Sequence, residues 1–143
     1  MKQFIVLLAV LPLLLVFFLQ FSMDQMTHAR INLLLDYVYA AKEEAKQQGC
    51  FTEEITDKLR ENVAIAFDIL PSDVLVETTE SVRYRMMQGD GMEAEDFERG
   101  LIYYKVSVPI SQIMAGRRLF GIKEEDNVCR YTVESYTASE LLP

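Results

Sequence analysis

The chain has 143 residues, with 22 Asp and Glu against 14 Lys and Arg and a net charge of -8. Lys2 is the only charge before Asp24, so residues 24–143 carry -9. That balance argues against nucleic acid as a partner, because phosphate-backbone binding needs clustered Lys and Arg. With an apolar N-terminal run set aside, the length allows one small domain with a single core.

The run is Phe4 to Phe21, FIVLLAVLPLLLVFFLQF, in which fifteen of eighteen residues are Leu, Ile, Val or Phe and only Pro12 and Gln20 interrupt the apolar character. A run this long can cross a bilayer as a helix. At about 0.3–0.6 kcal/mol per such residue, insertion is favoured by about 5–9 kcal/mol, more than Gln20 and Pro12 should cost. Gln20, Phe21, Ser22 and Met23 offer no small-residue pair for cleavage, so the segment is expected to be retained rather than removed as a signal peptide. Lys2 lies on one side of the run and the next basic residue, Arg30, on the other. This favours the amino terminus inside and the rest outside.

The helix is expected to continue past Asp24. Ile31, Leu34, Leu35, Val38, Ala41 and Ala45 form one apolar stripe, and no Gly or Pro occurs between Pro12 and Gly49. Gly49 is a natural stop, with Lys42 and Lys46 near the end where the macrodipole favours cations. Residues 3–48 therefore read as one rod of about 70 Å, bent at Pro12. The boundaries are an N-terminal helix and stalk at 1–48 and a globular domain at 49–143.

Thr52 is placed to cap a second helix, with Glu53 and Glu54 in its first turn. Ile55, Leu59, Val63 and Phe67 repeat at four-residue intervals, with Ala66 and Leu70 alongside, and Pro71 ends the helix. From Asp73 to Met86, Val74, Val76, Val82, Tyr84 and Met86 alternate with polar residues, the pattern of a half-buried strand with a break near Glu80. Residues 88–100 read as an acidic loop. Leu101 to Ile110 alternates again, with Tyr104, Val106, Val108 and Ile110 on one face, and Pro109 marks a strand end or an edge. Ser111 is expected to cap a short helix ending near Gly121. The last strand runs from Val128 to about Ser139, with Cys129, Tyr131 and Val133 on one face. The fold class is α+β: a long hydrophobic helix, a second amphipathic helix, and a small antiparallel sheet of three or four strands with a short helix.

Few residues suggest chemistry. Asp90, Glu93, Glu95, Asp96 and Glu98 can gather a hard cation, although their spacing is not that of an EF-hand and a solvated hairpin loop accounts for them. Glu124, Glu125 and Asp126 read as another exposed turn. His28 is the only histidine and reads as a helix-face residue. Cys50 and Cys129 lie beyond the apolar run, where export would permit either a disulfide closing a loop of about 80 residues or two unpaired thiols. Arg117 and Arg118 can meet anionic headgroups or simply face water. No phosphate cradle or nucleophile elbow occurs. No enzymatic activity, cofactor or metal is expected.

The apolar run starting almost at residue 1, its unbroken passage into an amphipathic stalk, and a compact strand-rich domain directly after it resemble the type IV pilin-like superfamily. More narrowly, MKQFIVLLAVLPLLLVFF and the stalk look like small single-span pilin-like proteins of Tad-type or conjugation-like clusters in Gram-positive bacteria. The resemblance implies a helix that anchors the subunit in the membrane and then packs with its copies in the core of an extracellular filament. Phe4, Leu7, Leu8, Leu11, Pro12, Leu14, Leu15 and Phe18 would supply those core or membrane contacts. Assembly machinery would be a further partner, and the other implied role is an anchored accessory pseudopilin of a secretion or conjugation apparatus. Many type IV pilins carry Glu at the fifth position of the mature helix, where this chain has Ile5, and no basic leader ending in Gly precedes the run. Processing by a prepilin peptidase is therefore not implied, unless the numbered chain is already the mature one.

Overall fold

The computed structural model describes residues 2–86 and 100–143. The first helix, α1, spans Lys2–Gln48, 47 residues with Pro12 inside it, or about 70 Å at 1.5 Å per residue. The helix runs without a break through Pro12. It stops where expected: Gly49 takes φ +79°, a left-handed conformation costly for residues with a Cβ, and its carbonyl accepts from the Arg83 N–H at 2.8 Å.

A second helix, α2, spans Glu53–Phe67. Thr52 caps it, its hydroxyl accepting from the Ile55 N–H at 3.4 Å, and Ile55, Leu59, Val63, Ala64 and Phe67 are buried. The helix ends earlier than Pro71. Asp68 turns left-handed at φ 56°, and its N–H satisfies carbonyls of the last turn. Pro71 instead opens a 3-10 turn, Pro71–Asp73, and Leu70 is exposed.

Three strands form one antiparallel sheet in the order β1-β2-β3: β1 Leu75–Thr78, β2 Leu101–Ser111 and β3 Val128–Ala138. The expected face of β2 is the core face, with Tyr104, Val106, Val108 and Ile110 buried beside Ile102. Pro109 sits in the central strand, two residues from its end. The last β1–β2 pair is Leu75↔Ser107, so at Pro109 the side of β2 toward β1 is already open. There a missing N–H breaks no ladder bond.

Two expectations are corrected. The strand anticipated from Asp73 to Met86 ends at Thr78; beyond the break the chain is tied by single bonds, from the Arg83 N–H to Gly49 and from the Arg85 N–H to Leu141 at 2.6 Å. Val82 and Tyr84 are consequently exposed. The short helix anticipated from Ser111 is only a 3-10 turn, Arg117–Phe120, because Ser111 closes β2 and both Gln112 (φ 60°) and Gly116 (φ 66°) are left-handed.

The core lies between one face of the sheet, α2 and the C-terminal half of α1. Leu34, Val38, Ala41 and Ala45 are buried against Phe51, Ile55, Leu59, Val63, Phe67 and the β2 side chains. Leu35 of the anticipated stripe is exposed. A Lys58–Glu44 ion pair at 3.0 Å links α2 to α1. At one end of the sheet the Glu140 N–H donates to the Lys46 carbonyl (2.9 Å), and the side chains of the same two residues pair at 3.0 Å. At the other end, the segment after β2 reaches Gln20. The eleven residues of β2, about 34 Å, thus run beside the stalk from Lys46 back toward Gln20, about 39 Å of helix.

Candidate functional site

The feature that needs explaining is the bare half of α1. A water-facing helix needs a polar face, and a helix apolar all round needs an apolar environment. None of the most apolar window of α1 is buried, and the helix is long and apolar enough to cross a membrane. Phe4, Leu7, Leu8, Leu11, Leu14, Leu15 and Phe18 are exposed, as is Pro12. At helical spacing most of these share one side. Ile5, Val6, Leu13 and Phe17 on other sides are equally bare, Leu13 at 70%. Through Leu15 no single stripe is distinguished, and every side of the helix is exposed.

The burial changes along α1 in a regular way. Val16, Gln20, Met23, Thr27 and Ile31 are partly covered, and Leu34, Val38, Ala41 and Ala45 are fully covered. Steps of three and four place these on one stripe facing the domain. The domain therefore lies along α1 back to Gln20, overlapping the last turn of the apolar run.

Gln20 makes that overlap specific. Its Oε1 accepts from the Ala115 N–H at 2.8 Å, and its Nε2 donates to the Ile113 carbonyl at 3.0 Å and to Asp24 Oδ1 at 2.8 Å. Asn127 holds the same segment from the other side, accepting from the Met114 N–H at 2.8 Å and donating to the Met114 carbonyl at 3.2 Å. In sequence Gln20 reads only as an interruption. Its partners are backbone groups 93 and 95 residues away, which no local pattern reveals.

Cys50 is buried at the α1–α2 turn and Cys129 is exposed near the start of β3, and both are free thiols. Cys50 adjoins Phe51, whose N–H donates to Thr79, which in turn bonds Tyr103; Cys129 pairs with Ile110. Seven residues of β2, about 23 Å, separate those positions. A disulfide tolerates about 7 Å between Cα atoms, so this fold holds the thiols apart.

The other candidates separate as well. His28 lies on an exposed face of α1. Asp90, Glu93, Glu95, Asp96 and Glu98 lie outside the described residues. Among the described residues no group of three or more His, Cys, Asp or Glu is gathered to hold a metal ion. Glu124 is tied to Arg117 at 2.8 Å, which holds its carboxyl below the usual range. A cleft of about 630 Å³ between Lys46, Arg85, Gly100 and Glu140 contains the Lys46–Glu140 pair. Hydrogen bonding to Glu140 first, and to Glu43 second, raises the Lys46 pKa.

Comparison of the chain with protein-family models, curated proteins and solved structures gives no match.

Proposed function

We propose that this chain is a pilin-like structural subunit: the apolar half of α1 holds it in the cell membrane, amino terminus inside, and then packs with the same helix of other copies in an extracellular filament. The observation carrying this reading is the continuity of α1. One unbroken helix is bare on all sides through Leu15 and built into a domain core in its second half. A second copy of the helix is as good an apolar environment as lipid. Each Leu, Ile, Val or Phe kept from water contributes about 1.5–3 kcal/mol in either setting. The acidic domain would form the water-facing coat, where net charge favours solubility.

Negative-stain imaging of material sheared from the native cells, with an antibody against the domain, tests this. Labelled fibres are expected, and Leu14→Arg should abolish them, because a charge on the packed helix has no partner. Fractionation provides the opposite outcome. A chain that stays wholly with the membranes and forms no fibres under any assembly condition would be an anchored accessory of a secretion or conjugation apparatus, not a filament subunit.

A further inference from the structure

We propose that the turn Gly116–Gly121 is a membrane-contact site, in which Phe120 enters the headgroup layer and Arg118 binds lipid phosphate while α1 spans the bilayer. The inference rests on the membrane stage of the reading above and adds to it a second point of attachment, on the domain itself.

The argument is one of length. Phe4 to Phe21 spans about 27 Å as a helix, against a hydrocarbon core of about 30 Å. Extending the count from Gln3 to Met23, the uncharged stretch between Lys2 and Asp24, gives only about 31 Å. Spanning therefore uses the whole run and leaves Gln20 at the edge of the hydrocarbon. Yet Gln20 is bonded to both Ile113 and Ala115, and Val16, one turn further back, is partly covered. No spare helix exists to lift the 112–122 segment clear of the lipid.

The residues in that segment suit the position. Phe120 is 58% exposed at the end of the 3-10 turn, five residues after Ala115, which is bonded to Gln20, and Phe17 and Phe21 on α1 are exposed as well. Arg118 is exposed, while Arg117 is engaged by Glu124 at 2.8 Å. Lys123 sits 3.3 Å from Glu125, offsetting another acidic group of the loop. An arginine whose stem lies along apolar surface and whose head reaches phosphate is a common interfacial arrangement, and an aromatic ring at headgroup depth is another.

The chain contains no tryptophan, so single Trp reporters are available. Full-length Phe120→Trp, Leu11→Trp and Tyr136→Trp would be reconstituted in phosphatidylcholine–phosphatidylglycerol vesicles. Each would be tested against lipids brominated near the glycerol end of the acyl chain or at mid-chain, and against aqueous iodide. Tyr136 is exposed near the far end of the sheet, paired with Tyr103. Trp at 120 should be blue-shifted, quenched by the shallow bromolipid and shielded from iodide. Trp at 136 should behave oppositely, and Trp at 11 should be quenched at mid-chain depth. Arg118→Glu added to Phe120→Trp should weaken the shallow quenching. Arg118→Trp gives a second reporter should position 120 tolerate the larger ring poorly. Quenching at 11 with iodide-accessible Trp at 120 and 118 would overturn this proposal alone. Absence of quenching at 11 would overturn the membrane stage as well.

Discussion

Gln20 replaces water for two backbone groups at once, which makes it worth more than its place in an apolar run suggests. With Gln20→Leu, the Ala115 N–H and the Ile113 carbonyl lose their side-chain partner beside the helix. Leaving such groups unpaired costs about 1–3 kcal/mol. Amide exchange at Ala115 should therefore accelerate, while Asn127 keeps Met114 protected and amides of β2 are unchanged. A uniform loss of protection would mean that Gln20 supports the domain rather than the loop. Tyr103 offers a pH-dependent counterpart. Half-buried against Tyr136, it is pushed up to about 12 by desolvation first and by the nearby Glu134 carboxylate second. A folded-state pKa above the ordinary 10.0 means that the native protein keeps a proton the unfolded chain releases. The stabilisation is complete below pH 10 and is lost as pH rises from there toward 12. Tyr103→Phe should flatten that alkaline decline in urea-unfolding midpoints. An unchanged slope would assign the decline to other groups.

At the scale of elements, the parts readable from sequence were those in which one local pattern settles the structure. The α2 stripe, its Thr52 cap and the β2 core face each follow from spacing alone. Val82, Tyr84 and Met86 alternate as well as any strand residues. Alternation assigns faces but supplies no partner, and β1 pairs with β2 only through Thr78. The segment after Ser111 misleads for a different reason. Its composition suits a helix, but Gln112 and Gly116 are left-handed, and the backbone between them bonds Asn127 and Gln20, partners distant in sequence. The stalk has a sharper consequence. Leu34 is fully buried where α1, α2 and the sheet meet. Leu34→Ala should cost about 2–5 kcal/mol through lost burial plus the cavity left behind. Leu35→Ala, one residue along and exposed, should change the midpoint little. Equal effects at 34 and 35, measured by urea unfolding in detergent, would contradict the observed side of docking.

Taken whole, the molecule joins two solubility regimes through one helix, and the join is not at the end of the apolar run but inside it. The domain core uses α1 from Leu34 onward, whereas the polar clamp uses Gln20. These are separable. A chain beginning at Asp24 retains Leu34, Val38, Ala41 and Ala45, the α2 stripe and all three strands, so the core has its full set of contacts. It lacks the bare surface, and it lacks Gln20. Such a fragment should be monomeric in detergent-free buffer and unfold cooperatively, while the full chain should require lipid, detergent or its own copies. Its Ala115 amide should exchange as fast as in Gln20→Leu, although the rest of the sheet is protected. Aggregation of the fragment would show that the apolar run supports the domain directly. Slow exchange at Ala115 would show that the loop is ordered without Gln20, and the clamp would then not be what couples the loop to the apolar run.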